Sequence, residues 1–286
     1  MFPRTFDYVA PSSIQEAVSA LSNGDAKVMA GGMSLIPLMK MRLFSPSLVV
    51  DIGRIPGLDV IEDKGDHISI PALVCHAETA SSDLIGNHAS ALATAAALTG
   101  DVQVRNRGTT CGSLAHADIA ADQPAAVIAL AGVMIAHGPN GTREIPGAEF
   151  CVDTLTSALE PDEILTEIRI PKSGPGESSA YDKLGRRGGH SDYAVAGAAA
   201  WVKRPGDTIE DARVALTGVG TKPMLVEAVG QALVGTDGSK AAVAAAAERA
   251  LDGVTVLGDL YGSEEYKAHL AQVYVRRAVE KALSQA

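Results

Sequence analysis

The sequence is poor in cysteine, in aromatic residues and in long apolar runs. It has three cysteines among 286 residues, Cys75, Cys111 and Cys151, and none forms a C-x-x-C pair. Three scattered thiols argue against a disulfide framework and cannot supply the clustered ligands of a zinc or iron–sulfur site. The seven histidines are scattered as well. We therefore predict that this chain binds no metal.

Two further absences concern membranes and export. No apolar run reaches the roughly 18 residues that a membrane-spanning helix needs, and the best candidate, residues 125–136, contains Gly132. The N-terminal stretch MFPRTFDYVAPSS lacks the charged-then-apolar order of a signal peptide. Together with the unpaired cysteines, these features predict a cytoplasmic protein without a membrane span.

The charge of the chain is acidic, with a net value of −10. Affinity for nucleic acid depends largely on Lys and Arg, so a nucleic-acid partner is not expected. A small phosphorylated ligand is compatible with this charge, because backbone N–H groups can hold phosphate without positive side chains. The apolar fraction of 47% and the charged fraction of 20% are typical of a globular protein, and the length allows two domains.

The first 55 residues alternate helix and strand patterns. Ser13 begins an amphipathic helix, and Ser34 is predicted to cap a second one. Residues 27–30 and 48–52 have the composition of short strands. Alternation of this kind predicts a small parallel α/β unit.

A second α/β region is predicted from about Leu58 to Pro171. Its last segment, EILTEIRIP, places three isoleucines on one face of a strand. The other predicted elements are a strand at 67–73, helices at 89–98 and 122–130, and a hairpin turn at Asn140-Gly141.

The segment 171–179, rich in Pro, Gly and Ser, is predicted to be a linker. Beyond it, residues 192–203 and 212–220 are typical of antiparallel strands, and the sequence from Pro223 onward is helical. The prediction is a combined α/β and α+β fold. A two-part N-terminal α/β domain (1–173, with subdomains of about 1–56 and 57–173) precedes a C-terminal domain (178–286) of a small antiparallel sheet and a helical bundle.

A pair of glycines, Gly31 and Gly32, falls between a predicted strand and a predicted helix. Unpaired N–H groups and the helix dipole favour an anion there, although a tight turn without a ligand would have the same pattern. Asp51 follows at the distance expected of a ribose-binding acid, but GGMSLI lacks the G-x-G-x-x-G spacing. A Rossmann-type dinucleotide site is therefore disfavoured.

The segment QVRNRGTTCGSLAHADIAAD, residues 103–122, is the second glycine-containing stretch. It supplies hydroxyl groups and flexible glycines, and Asp122 could cap the helix that follows. One such loop carries little information. Two in one chain indicate a ligand with two phosphates.

The motifs AGGMSLIPLMKMR, QVRNRGTTCGSLAHADIAAD, DEILTEIRIP and YDKLGRR, in this order, carry a family resemblance. The chain resembles the FAD-binding medium subunit of molybdenum hydroxylases, and most closely the carbon monoxide dehydrogenase medium subunit type. The resemblance covers nearly the whole chain, and it implies FAD as cofactor.

The resemblance also implies particular site residues. Both glycine loops would hold the FAD pyrophosphate, while Asp122 would contact the adenosine side. Leu165 would lie near the flavin, Lys183 near the isoalloxazine, and Tyr193 against the ring face. The implied set is Ala30, Gly31, Gly32, Met33, Ser34, Leu35, Thr109, Thr110, Cys111, Gly112, Ser113, Asp122, Leu165, Lys183 and Tyr193.

Two positions depart from the family pattern. Met33 stands where relatives often have His or Gln, which matters little if backbone N–H groups are the donors. Cys111 replaces the first glycine of the usual pair, and a Cβ at a position needing positive φ would cost about 1 kcal/mol. Either the loop tolerates the side chain or FAD is held less tightly. A buried small side chain is favoured over a reactive thiol.

The function that the resemblance implies is electron transfer in a heteromeric complex, without a catalytic acid, base or nucleophile in this chain. Electrons would come from a molybdenum centre in a large subunit through [2Fe-2S] clusters in a small subunit, and would leave FAD for a quinone or another acceptor. The expected assembly is a dimer of heterotrimers, of the carbon monoxide dehydrogenase or N-heteroaromatic hydroxylase type. The alternatives are a self-sufficient FAD-dependent oxidase and an assembly protein that keeps the fold without FAD.

Overall fold

A computed structural model describes residues 2–22, 24–187 and 192–286. Over these residues, no helix has both the length and the apolar character needed to cross a bilayer. The strands form three main sheets, of three, five and four strands, and a small two-stranded ribbon.

The N-terminal unit is a three-stranded parallel sheet with two helices, which confirms the predicted parallel α/β unit, although its strand at residues 7–9 was not predicted. The strand order is β1-β3-β2, and both strand pairs are parallel. Ser13 caps α1 by accepting from the Glu16 N–H, but Ser34 makes no cap hydrogen bond. Its backbone is already helical, with φ −101° and ψ −47°, whereas a capping side chain reaches back from an extended backbone. The elements are β1 (Asp7–Val9), α1 (Ile14–Leu21), β2 (Ala26–Met29), α2 (Leu35–Met41) and β3 (Leu48–Asp51).

The central unit is a five-stranded antiparallel sheet, in the order β4-β5-β10-β6-β7, with most of its helices in the segment between β5 and β6. The predicted hairpin forms, and Gly141 has φ +107° at its turn. The elements are β4 (Glu62–Asp63), β5 (His67–Pro71), α3 (His76–Ser81), α4 (Asp83–His88), α5 (Ser90–Ala97), α6 (Val102–Arg105), α7 (Thr110–His116), α8 (Asp122–Ala129), β6 (Val133–Gly138), β7 (Gly141–Pro146), α9 (Gly147–Phe150), β8 (Cys151–Asp153), β9 (Thr156–Ser157) and β10 (Ile164–Pro171).

The C-terminal unit is a four-stranded antiparallel sheet in the order β11-β12-β13-β14, with three helices. Strand β11 was not predicted, and it pairs along the length of β12. The helices cover one face of the sheet, while α5 and α8 of the central unit pack against the other. The elements are β11 (Glu177–Gly185), β12 (Ala194–Lys203), β13 (Asp211–Thr217), β14 (Met224–Leu225), α10 (Glu227–Leu233), α11 (Lys240–Ala247) and α12 (Glu264–Leu283).

Candidate functional site

A cleft of about 540 Å³ contains most of the residues that the motifs single out. Its size is within the range of small-molecule and cofactor sites. Both glycine loops line it, together with side chains from α8, from β10 and from the two residues that precede β12. The predicted residues on its walls are Ala30, Gly31, Gly32, Met33, Ser34, Leu35, Thr109, Cys111, Gly112, Ser113, Asp122, Leu165 and Tyr193, whereas Thr110 and Lys183 are set back from them.

The first loop presses against the segment that leads into the second. A Cβ on Gly31 would lie 1.8 Å from the Arg107 carbonyl oxygen and 2.9 Å from the Gly108 Cα. Gly32 adopts φ +72°, a conformation that L side chains rarely adopt. The glycine pair is therefore required both by this contact and by its own backbone.

Backbone N–H groups of both loops are available for a ligand. Within the ranges that the structure describes, the amides of residues 31–35 donate to no other atom of the chain, and neither do those of Thr109 and Cys111. Backbone donors need a partner, and clustered amides of this kind suit an anion. The cradle therefore fits a pyrophosphate and depends little on the side chain of Met33, which is 36% exposed.

The second loop is the first turn of α7. The Thr109 hydroxyl caps this helix by accepting from the Gly112 N–H at 3.0 Å. A Cβ on Gly112 would lie 2.7 Å from that oxygen, so glycine leaves room for the cap. Thr110 points away from the cleft, and its hydroxyl hydrogen-bonds to Thr79 at 2.7 Å.

Of the two alternatives for Cys111, a loop that tolerates the side chain or a weaker hold on FAD, the structure supports the first. Residue 111 lies within α7, and the described non-glycine residues with positive φ are Arg42, Ala117, Ala131 and Leu155. A side chain is tolerated because helical backbone accepts a Cβ without cost. The thiol is buried, it donates weakly to the Ile70 carbonyl at 3.4 Å, and burial raises its pKa. It is thus a small buried side chain with no thiolate character at neutral pH.

Asp122 lies at the inner wall and does not cap α8, since Ala121 is the cap residue. Its carboxylate accepts from Lys183 Nζ at 2.6 Å, from the Tyr181 hydroxyl at 2.5 Å and from Thr99 Oγ1 at 3.2 Å. Burial raises the pKa of Asp122, and the ion pair with Lys183 opposes that shift. The carboxylate therefore joins α8 to strand β11.

Lys183 differs from its expected place beside the isoalloxazine. Its side chain is 2% exposed, and it also donates to the Leu98 and Asp192 carbonyls. These three acceptors use all three ammonium donors. Lys183 therefore supports the cleft from behind and has no donor left for a ligand.

Leu165 and Tyr193 also line the cleft. Leu165 lies at a bulge of β10, where the pairing with β6 shifts register before Glu167. Tyr193 is 39% exposed. The guanidinium of Arg186 lies 5.0 Å from its ring centre and 4.7 Å from that of Tyr261. Leu165 and Tyr193 therefore offer apolar and aromatic surface to a planar ring.

A buried polar network behind the second loop was not predicted. Gln123 is fully buried; it accepts from Ser113 Oγ at 2.9 Å and donates to Thr99 Oγ1 at 2.6 Å. It also contacts His76 Nδ1 at 3.1 Å. His76 and Thr99 lie 47 and 24 positions from Gln123 in the sequence, and no motif joins these three residues.

Comparison with known families identifies this architecture. Residues 4–173 match the family model described as the FAD binding domain in molybdopterin dehydrogenase. Residues 179–282 match the model described as the CO dehydrogenase flavoprotein C-terminal domain. The carbon monoxide dehydrogenase medium chain of Hydrogenophaga pseudoflava is 39% identical, over 99% of this chain and 98% of that one. The 6-hydroxypseudooxynicotine dehydrogenase complex subunit alpha of Paenarthrobacter nicotinovorans is 37% identical, over 100% and 97%.

Comparison with solved structures indicates the same family. A carbon monoxide dehydrogenase structure from Hydrogenophaga pseudoflava, which lacks the Mo-pyranopterin moiety, superposes with a TM-score of 0.96 at 39% identity, over 100% of both chains. Quinoline 2-oxidoreductase from Pseudomonas putida 86 gives 0.93 at 32% identity, over 100% of this chain and 99% of that one. The expected family and fold class are confirmed. The chain belongs to the FAD-binding medium subunits of molybdenum hydroxylases, as the FAD component of an oxidoreductase.

Proposed function

We propose that this chain holds FAD in the cleft described above and acts there as the electron exit of a heteromeric molybdenum hydroxylase. The observation that carries the proposal is the contact of Gly31 with Arg107 and Gly108, because it brings the unpaired amides of two loops to one cleft. FAD supplies the redox chemistry when bound, and the protein binds, orients and tunes it.

The proposed contacts follow from what each residue offers. The amides of 31–35, Thr109 and Cys111 bind the pyrophosphate, with Ala30, Gly112 and Ser113 on the same walls. Leu165 and Tyr193 pack against the ring system, and Asp122 borders the adenosine side. Thr110 and Lys183 lie behind the walls of the cleft. Thr110 fixes α7, and Lys183 fixes the carboxylate of Asp122. We assign no general acid, base or nucleophile to this chain.

The proposed partners are a large molybdenum subunit and a small [2Fe-2S] subunit, in a dimer of heterotrimers. The names of the relatives, medium chain and complex subunit, support such an assembly. Electrons arriving from the small subunit would leave this chain for a quinone or another acceptor. The exposed edge of Tyr193 at the cleft supports exchange with a partner or acceptor there.

The substrate of the complex is proposed to be carbon monoxide or an N-heteroaromatic compound. Relatives with similar identity are named for carbon monoxide, nicotine and 6-hydroxypseudooxynicotine, which supports both substrate classes. The pocket of the large subunit would select the substrate.

Two organisational features complete the proposal. The chain divides at about 173–178, which the two separately matched family models and the connection between β10 and β11 support. We place the protein in the cytoplasm. Its three free cysteines support a reducing compartment.

The test is the visible spectrum of the purified chain, with identification of any released chromophore, followed by titration of the apoprotein with FAD. We expect one equivalent of FAD per chain, and reoxidation by a quinone after chemical reduction. A colourless protein that takes up no added FAD would instead favour the assembly protein without cofactor. Turnover of small substrates by the isolated chain would favour a self-sufficient oxidase.

A further inference from the structure

His76, at the start of α3, is a buried cleft residue that no motif singles out. It is 4% exposed and lines the cleft. Gly108 brings the second loop against its ring, since a Cβ there would lie 3.0 Å from His76 Cδ2 and 3.2 Å from Nε2. Gly31 lies against the same residue, since a Cβ on Gly31 would be 2.9 Å from the Gly108 Cα. The imidazole therefore lies next to the contact between the two loops.

The hydrogen bonds of Gln123 determine where the His76 proton is. The single hydrogen of the Thr99 hydroxyl is shared between the Ala95 carbonyl at 2.8 Å and the Asp122 carboxylate at 3.2 Å, so this hydroxyl can only accept from Gln123. The Gln123 amide nitrogen therefore faces both Thr99 and His76, and its oxygen accepts from Ser113. His76 Nδ1 must accept, which leaves the ring proton on Nε2.

The charge state agrees with this tautomer. Burial lowers the pKa of His76 to about 4, and the nearby Arg105 adds to the shift. The ring is thus neutral near pH 7 and carries one proton. Among the described residues, Nε2 has no hydrogen-bond partner, and it is not one of the fully buried side-chain atoms that lack a partner, so it has access to the cleft that the ring lines. The cleft is where an acceptor for this donor can come from.

We propose that the Nε2–H group of His76 donates a hydrogen bond to an acceptor oxygen of the dinucleotide in the cleft, and that Gln123 holds the ring in the tautomer that makes this possible. The inference rests on the proposed FAD site and adds a side-chain donor to its backbone cradle. Gln123 is a positioning residue, because it acts through His76.

The tautomer can be tested directly. In apoprotein with ¹⁵N-labelled histidine, long-range ¹H–¹⁵N correlations should identify His76 as the Nε2–H form. In Gln123→Glu, the carboxylate would accept from Nδ1–H, and the spectrum should change to that tautomer. An Nδ1–H pattern in the unsubstituted protein would overturn the inference.

Affinity gives the second readout, measured by quenching of FAD fluorescence. His76→Phe keeps a ring and removes the donor, so we expect Kd to rise by roughly tenfold. Gln123→Glu should weaken binding to a similar extent. The matched control is His269→Phe on α12, an exposed position away from the cleft, which should leave Kd unchanged.

The outcomes separate this inference from the proposed function. If the unsubstituted protein binds FAD and a folded His76→Phe variant binds it equally well, His76 is not a ligand and the FAD site stands. If the unsubstituted protein binds no FAD, both fail. Should His76→Phe not fold, the Nε2–H signal of the unsubstituted protein decides. It should shift when FAD is added, and an unchanged signal would overturn the inference.

Discussion

The two glycine loops line one cleft but are built in different ways. The first depends on missing side chains, since Gly31 lies against backbone atoms and Gly32 has positive φ. The second is an ordinary helical turn, capped by Thr109, in which residue 111 has a side chain. Glycine in the first motif and glycine in the second motif thus have different structural roles. A glycine at 31 is a steric requirement, whereas one at 111 is a preference.

The support behind the two loops differs as well. The first loop rests on backbone contact with Arg107 and Gly108. Behind the second lies a network of buried side chains that includes Gln123, Asp122 and Lys183. Changes near the first loop should therefore act by steric clash, and changes behind the second by loss of polar partners.

The largest effect is expected behind the second loop. Lys183→Met should lower the free energy of unfolding by about 4 kcal/mol, because it leaves the buried Asp122 carboxylate without its cation. Urea denaturation would measure this loss. The control is Lys172→Met, whose ion pair with Asp63 is partly exposed and should contribute at most about 1 kcal/mol.

A double variant sharpens this prediction. Asp122→Asn combined with Lys183→Met removes both charges and should recover part of the loss. If the double variant were less stable than Lys183→Met alone, the unpaired charge would not be the cause.

At the first loop, Gly31→Ala should weaken FAD binding by roughly 100-fold, about 3 kcal/mol, because its Cβ would overlap the Arg107 carbonyl. The matched control is Gly86→Ala in α4, where a Cβ meets nothing within 4 Å. It should leave FAD affinity unchanged and stabilise the helix by up to about 1 kcal/mol. Equal affinities of the two variants would contradict the steric requirement at Gly31.

The third prediction concerns the pH dependence of stability that His76 contributes behind the second loop. Its pKa falls from an ordinary 6.5 to about 4 on folding, so the unfolded chain binds more protons between these values. Stability of the apoprotein should therefore fall as pH drops from 6.5 to 4, by up to about 3 kcal/mol. His76→Phe removes this contribution. The difference in unfolding free energy between the two proteins should change with pH across this window, and a constant difference would contradict the prediction.

The smallest effect is expected where the second loop tolerates a side chain. Cys111→Gly should lower stability by about 1 kcal/mol, because glycine is less favourable in a helix and the buried thiol is lost. FAD affinity should stay within about twofold. A tenfold gain in affinity would show that Cys111 distorts the loop after all.

The sequence predicted those parts of the fold in which local pattern and tertiary environment agree. The parallel strands of the first unit and the Asn140-Gly141 hairpin are examples. Strand β11 was missed because its buried polar residues find partners far away: Ser178 donates to the Ala282 carbonyl, and Lys183 to Asp122. Local patterning cannot anticipate such partners.

The candidate site shows the same limit. The family resemblance implied thirteen residues that line the cleft, because the glycine loops that carry the resemblance are encoded in local sequence. The caps predicted at Ser34 and Asp122 are wrong. The backbone of Ser34 is already helical, and the carboxylate of Asp122 forms an ion pair with Lys183. His76 and Gln123 lie 47 positions apart, and only the folded chain brings them together.

Strand β12 has one further consequence. It is buried along nearly its whole length and consists largely of alanine, so helices of the central unit and of the C-terminal unit lie close to its two faces. Tyr181, Ala199 and Trp201 belong to the same core as α5 and α8. A protein cut after Pro171 would leave that apolar surface uncovered and prone to aggregation. The two regions that match separate family models are therefore expected to unfold in a single cooperative transition.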